Sequence, residues 1–550
     1  MKFGKPICTV ALAAMALSTA CSSSNNDLET IPVATLVGRY AVNVGAGVSE
    51  IVAYHAESRS VFITVDSSTT PSSFQRISLR GLTSMPSGAG IANPVTASNL
   101  ESGVVVSVAT HVNGTTFTAG GVQALAISGN LLAIAVQSNP KTSNGVVAFY
   151  RLDAQGNATY LKKVTVGSLP DGASFTPDGS KLVVANEGEL SATFTTDGID
   201  PLGTISIIAI TNGTPADTAT TLDFTAFNVG GTRASELPTG VRIGRAAATV
   251  AQDIEPEFVS IRADSTKAYV TLQENNAVAV VDLATNSIER IFPMGYQDHS
   301  LAAKALAPSD QAPTTAPFVL KSYPNLLGIY MPDGIASFTA NGTSYFITAN
   351  EGDDRDDFLG TASAETARVS TLSLDPTAFP SATALELARL TVFKTMGLNS
   401  SNQFTKLYAL GGRSFSIYNA TTGTQIYDSG SDLEQRTYTT IPGALLSKSS
   451  VVGRLDNKGT EPESVIVGQV NGKAYAFVAL ERASAILMYD LSDPTVPKFI
   501  QWFQNTTDMA NGDIAPEGLN FVPAAQSPTG YALLIVGNEG SGTVAVWEIK

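Results

Sequence analysis

Cysteine, histidine and tryptophan are scarce in this chain: its 550 residues include 2 cysteines, 3 histidines and 2 tryptophans. Both cysteines, Cys8 and Cys21, lie at the amino-terminal end, so no disulfide framework spans the body and the fold must rest on burial and backbone hydrogen bonds. With only His55, His111 and His299 as imidazoles and no later thiol, a nitrogen or sulfur site for zinc has almost no ligands to draw on. Basic residues are outnumbered, 33 against 48 acidic, for a net charge of −15. A nucleic-acid binder needs a basic stripe to neutralise phosphates; the surplus here has the wrong sign and favours cations as partners. After the first residues no run is long and apolar enough to span a bilayer. Gly-x-Ser-x-Gly, P-loop and dinucleotide fingerprints are missing too, which removes the main support for serine hydrolase, nucleotide hydrolase and Rossmann readings. No zinc, haem or nucleotide cofactor is expected.

What is present begins with a secretion signal. Met1 to Lys5 is basic, Ile7 to Leu17 is apolar, and Ser18-Thr19-Ala20 leads into Cys21. The arrangement resembles a bacterial lipobox, in which the cysteine is acylated and becomes the mature terminus; Leu17 stands one place further from it than the usual pattern. The alternative is an ordinary signal with an incidental cysteine. On this reading residues 1–20 are the signal peptide, 21–33 a polar tether lipid-anchored through Cys21, and 34–550 the folded body. The expected location is extracytoplasmic, on a bacterial membrane, held by the lipid alone.

The body consists of short Val/Ile/Ala/Thr/Tyr runs bounded by Gly, Asn, Asp and Pro, the pattern of an all-β sandwich, barrel or propeller. Repeats decide among these. Pro170-Asp171-Gly172 is followed by a hydrophobic run, a turn, and Leu182 to Asn186-Glu187-Gly188. The same unit recurs from Pro332-Asp333-Gly334 to Asn350-Glu351-Gly352, and from Pro516-Glu517-Gly518 to Asn538-Glu539-Gly540. Pro256-Glu257 and Pro462-Glu463 open two variants, and weaker copies start near Glu50, Gly121 and Leu407. Third strands are expected over Val278 to Asp282, Val369 to Asp375, Ile486 to Asp490 and Val544 to Ile549. This is the grammar of propeller blades. The count is eight, or seven if the partial copy over Leu407 to Tyr418 joins a neighbour, with long insertions decorating one or both faces. A strand within Ala34 to Val44 is expected to complete the last blade and close the ring.

Several segments together resemble the choice-of-anchor I family, a group related to the mesenchyme-specific cell surface glycoprotein: Asn186 to Glu189, Val250 to Glu257, Thr271 to Asn276, Gly295 to Ser300, Ala349 to Asp353, Gly411 to Ile417 and Pro516 to Gly518. The resemblance implies a secreted, surface-anchored β-propeller. Some members carry an alkaline phosphatase label, and no catalytic residue set transfers with it.

Chemistry follows from where a blade puts its ends. The first strand lines the channel and the second runs antiparallel beside it, so the start of one and the end of the other share a face. Asp171, Glu257, Asp333, Glu463 and Glu517 should therefore form an inner ring, with Glu187, Glu351 and Glu539 beside it. Such crowded carboxylates need protons, donors or cations, and hard oxygen ligands suit Ca2+ ahead of Mg2+. The best local cluster is Glu351 with Asp353, Asp354, Asp356 and Asp357, followed by Glu365; a second is Glu187 and Glu189 with Asp197 and Asp200. The competing reading is architectural: every blade needs the same join, and a carboxylate there accepts backbone N–H groups. Two functions stay open. One is a monomeric binding or scaffold propeller that presents loops to a cell-surface or extracellular ligand. The other is a calcium-dependent phosphoesterase acting on a small phosphoester, with Arg355, Arg368, Arg413 or Arg482 as phosphate clamps and His299, beside Asp298, as general acid.

Overall fold

The computed structural model describes residues 31–42, 50–65, 72–82, 94–311, 319–441, 450–506 and 511–550. The signal peptide, Cys21 and the tether up to position 30 lie outside the described residues.

Second strands such as Lys181–Asn186, Lys473–Leu480 and Ala532–Asn538 are buried almost throughout. They read as continuous apolar runs because both sheet faces are covered by neighbouring sheets. Among the described residues seven antiparallel sheets share this plan, six of four strands and one with an additional short strand. Their innermost strands are Val52–His55, Ala119–Ser128, Pro170–Phe175, Pro256–Ile261, Ile335–Ala340, Pro462–Val470 and Pro516–Val522. Each touches the next and the last touches the first, and all of them line one axial cavity of about 460 Å³. The molecule is a β-propeller, and these sheets are its first to seventh blades.

An eighth sheet lies off the ring. It pairs Tyr296–Asp298, Leu326–Ile329, Leu407–Ala409, Thr391–Phe393 and Thr366–Arg368 in that order, with one parallel contact between Leu326–Ile329 and Leu407–Ala409. The partial copy read from the sequence is therefore divided. Leu407–Ala409 belongs to this inserted sheet, whereas Ser414–Asn419 pairs with Thr343–Asn350 as third strand of the fifth blade. Val369 to Asp375, expected as that third strand, instead carries a 3-10 turn over Val369–Thr371. Apolar periodicity reports burial, and burial in an inserted sheet looks the same as burial between blades. These contacts follow the seven-blade alternative.

Closure is as expected. Ala34–Ala41 pairs antiparallel with Thr543–Ile549, Ala34 opposite Ile549, so the seventh blade takes its outermost strand from the other end of the chain. Leu36, Leu534 and Trp547 of that blade pack with Phe477, Met488 and Phe503 of the sixth, and the Phe503 and Trp547 rings lie 4.9 Å apart.

Candidate functional site: an acidic channel mouth

The site is built by a repeated distortion at the start of the inner strand. Pro170 faces Asn186, but the next paired residue is Ala173, opposite Val184; the same skip separates Pro256 from Val259, Pro462 from Val465 and Pro516 from Leu519. Each is a β-bulge that re-aims the acidic side chain after the proline. The proline itself is tolerated because it opens a strand at the sheet edge facing the channel. In four copies the preceding residue is left-handed: Leu169, Met331, Glu461 and Ala515 have φ of 46°, 49°, 49° and 57°. That region is unfavourable for residues with a Cβ, and its recurrence marks a strain that ring geometry imposes.

The glycine after the acid has a separate cause. A Cβ on Gly172 would overlap the carbonyl oxygen of Glu257, and one on Gly518 that of Glu50. On Gly334 it would lie 2.8 Å from the Glu463 oxygen, to which the Gly334 N–H donates at 3.0 Å. At these three seams adjacent blades thus meet at the level of the acids, and the glycine permits the approach. The Asn-Glu-Gly motif divides similarly. Asn350 Nδ2 donates to Ser414 and Ser416 Oγ, and Asn186 Nδ2 to Ser206 Oγ and the Thr204 carbonyl. Asn538 Nδ2 donates to the Thr543 carbonyl. Each asparagine ties the second strand to the third. Gly188 and Gly352 take φ of 71° and 90° as the chain leaves the strand, so only the glutamate is left to face the mouth.

The acids gather as the spacing predicts. Six blades contribute one to the inner position: Glu50, Asp171, Glu257, Asp333, Glu463 and Glu517; the second blade places Gln123 there. Glu50, Gln123, Asp171 and Glu517 line a small cavity of about 90 Å³ that shares Leu125, Ala173 and Val259 with the axial channel. Beside them, oxygens of Glu50, Glu517 and Glu539 lie within 4.8 Å of one another, as do those of Asp333, Glu351 and Glu463, and those of Glu351, Glu461 and Glu481. Burial and then mutual repulsion push most of the inner acids up, whereas Lys458, Arg454 and Arg482 hold Glu461 below the usual range despite its burial. Asp171 is raised to about 7 by burial and by Glu189. Glu351 is raised to about 7 by burial despite Lys458, and Glu481 to about 8 by burial despite Arg482. Glu187, Glu257, Asp333, Glu463 and Glu517 stand well above the carboxylate range for the same reasons.

Part of the charge is neutralised internally, by Arg482 and by residues that the sequence reading missed. Lys458 Nζ donates to Glu351 Oε1 at 2.6 Å and lies 3.6 Å from Asp353; Gln273 Nε2 donates to Glu351 Oε2 at 2.9 Å. Glu461 pairs with Arg454 and Arg482, and Glu189 with Lys141. Lys458 stands alone in a Gly/Asn-rich loop with no periodicity to mark it. Gln273 was detectable, since Thr271-Leu272-Gln273 occupies the register of Ala185-Asn186-Glu187 in the repeat.

The other candidate residues take structural places. Asp356 accepts from the Glu365 and Thr366 N–H groups and the Thr366 hydroxyl, Asp354 accepts from Asp356 N–H and Asp353 from Asp354 N–H, and Asp357 is exposed. The Asp353 to Asp357 cluster is thus a turn that caps itself. Asp197 accepts from Ser191, Thr193 and the Ile199 N–H, and Asp200 pairs with Arg245. The four arginines are engaged: Arg355 by Glu255, Glu365 and the Asp253 carbonyl, and Arg413 by Glu434 and the Ala307, Leu455 and Asn457 carbonyls. Arg368 pairs with Asp456, and Arg482 with Glu461 and Glu481. His299 is buried, its Nδ1 2.6 Å from the Lys304 carbonyl, and burial lowers its pKa to about 4. Asp298, in the inserted sheet, accepts from the Ser300 N–H.

Five long connections, of which residues 312–318 and 442–449 lie outside the described residues, leave from the acidic end: 187–203, 224–255, 294–334, 351–413 and 429–461. A propeller with an acidic mouth, walled by loops on that side, is the class this geometry defines. The chain belongs to the choice-of-anchor I family, whose domain model matches residues 50–494. Membership places it among cell-surface proteins, and among the described residues no helix is long and apolar enough to cross a membrane. Gigasin-3a of Magallana gigas is 29% identical over 184 residues, which is 30% of this chain and 65% of that relative's length. Among solved structures, the chain is similar to Kuenenia stuttgartiensis hydrazine synthase, at TM-score 0.42 and 12% identity over 92% of this chain and 97% of that one. It is also similar to the β-propeller domain of Myceliophteria thermophila Cps50 (Swd1), at TM-score 0.43 and 8% identity over 94% and 100%.

Proposed function

We propose that this protein is a binding or scaffold propeller, lipid-anchored through Cys21 on the outer side of a bacterial membrane, whose acidic channel mouth holds a hard divalent cation, calcium ahead of magnesium. The observation that carries the reading is the convergence, among the described residues, of carboxylates from every blade but the second on a single opening. Like charges packed this closely raise each other's pKa and draw in cations, and oxygen-only ligands select calcium or magnesium. The loops around that opening are the surface for a cell-surface or extracellular ligand, bound by one copy of the chain. Binding is favoured over phosphoester hydrolysis because the arginines and the histidine that would clamp and protonate a phosphate are held by ion pairs and carbonyls. The test is thermal unfolding of chelator-treated protein with and without calcium, beside an assay of phosphate release from a generic phosphomonoester. We expect a calcium-dependent rise in midpoint and no turnover. Turnover abolished by Glu351→Ala in folded protein, or a midpoint indifferent to calcium, contradicts the reading.

A further inference from the structure

Two of the carboxylate clusters at the mouth share Glu351, and their local charge differs. In the Glu351, Glu461 and Glu481 cluster, Lys458, Arg454 and Arg482 supply one cation for each acid. It is neutral as built and has no deficit for a metal to fill. The Asp333, Glu351 and Glu463 cluster is different. Among the described residues only Glu351 of its three acids has a cationic partner, Lys458 at 2.6 Å. Asp333 is 3% exposed and its carboxyl group is in hydrogen-bonding contact with that of Glu463, yet among the described residues Asp333 Oδ2 and Glu463 Oε2 have no hydrogen-bond partner. A buried acceptor left bare costs free energy, more so when it is charged. Three carboxylates and one ammonium leave a charge of −2 when the acids are ionised, which one divalent ion balances.

We infer that Asp333 Oδ2, Glu463 Oε2 and a Glu351 oxygen form the seat of a single calcium ion at the seam between the fifth and sixth blades, with Lys458 as the fixed cation that sets the site's charge at −2. The inference rests on the cation reading above and assigns it a place. The spacing is compatible: two oxygens on one calcium at about 2.4 Å stand at most ~4.8 Å apart, and one carboxylate oxygen from each of the three acids lies within 4.8 Å of the others. Magnesium demands a stricter octahedral arrangement at about 2.1 Å and gives up its water less readily. The seam is already close, since the Gly334 N–H donates to the Glu463 carbonyl. An ion here clamps two blades whose acids otherwise repel. Three protein ligands leave the remaining calcium positions to water or to an oxygen of a bound ligand.

The experiment is isothermal titration of chelator-treated, full-length protein with CaCl2 at neutral pH, on the wild type and on Asp333→Asn, Glu463→Gln and Glu517→Gln. Far-ultraviolet circular dichroism confirms the fold of each. We expect one calcium per chain, binding weakened about tenfold or more in Asp333→Asn and Glu463→Gln, and little change in Glu517→Gln, which alters the cluster around Glu50. Glu463→Gln serves if Asp333→Asn does not fold. Wild-type binding that survives both seam variants but is lost in Glu517→Gln overturns the assigned place and leaves the cation reading standing. No calcium binding by the wild type overturns both.

Discussion

Asp171, Glu351 and Glu481 hold protons to about pH 7, 7 and 8 when folded, whereas an unfolded chain releases them near pH 4. Across that interval the folded state binds more protons than the unfolded one, so stability is highest below the unfolded value and falls as pH rises through the folded values. His299 acts in the opposite sense. Its lowered pKa, about 4, means that stability is lost as pH falls from about 6.5 towards it, but it is one group against several acids. We therefore expect the unfolding midpoint of cation-free protein to drop between about pH 5 and about pH 8. Calcium should restore more of it at the upper end, where more acids are ionised. Differential scanning calorimetry checks both, and a midpoint that climbs steadily over the same range opposes the account. Residue identity alone did not divide the functional acids from the architectural ones. Asp356 and Glu463 look alike in sequence, yet the first is saturated by Glu365 and Thr366 donors while the second keeps a bare oxygen at the channel.

At the scale of elements, the repeat was legible because each of its letters has a mechanical duty. Proline opens an edge strand, the acid rides a bulge, glycine permits contact with the next blade, and asparagine fastens the third strand. Glu50 was read as the start of a weaker copy but not as a ring acid, because the proline that marks the other copies does not precede it. The inserted sheet was read as a blade because Leu407–Ala409 and Ser414–Asn419 are adjacent in sequence and equally apolar, although Gly411 and Gly412 turn the chain between two different sheets. The closing strand is the element with the largest mechanical consequence. Ala34–Ala41 covers the free edge of Thr543–Ile549, and Val33 and Lys550 exchange both backbone hydrogen bonds. Deleting residues up to Ala41 leaves that edge open. We expect the deletion to remove about a third or more of the ~5–15 kcal/mol that ordinary domains hold and to bring aggregation, read by urea unfolding and size-exclusion chromatography. A monomeric truncation with unchanged unfolding places the closure elsewhere.

At the scale of the whole molecule, the ring turns a sequence repeat into a concentration of charge. One acid per blade is unremarkable on an isolated sheet; brought to one axis, these acids repel and create a field that no single blade has. That much could be inferred from the spacing of the Pro-acid and Asn-Glu-Gly motifs. The internal cations could not, because Lys458 and Lys141 arrive on loops and Arg454 on the short helix Ser450–Arg454, whose paths the repeat does not encode, and they decide which cluster remains charged. The most direct measurement is a crystal structure from calcium-containing solution with anomalous data collected at a long wavelength. A difference peak beside the axis, bonded to Asp333 and Glu463 at about 2.4 Å, is the expected result. A map with no peak at the mouth, or with calcium only on outer loops, contradicts the claim that the ring of acids exists to hold a cation.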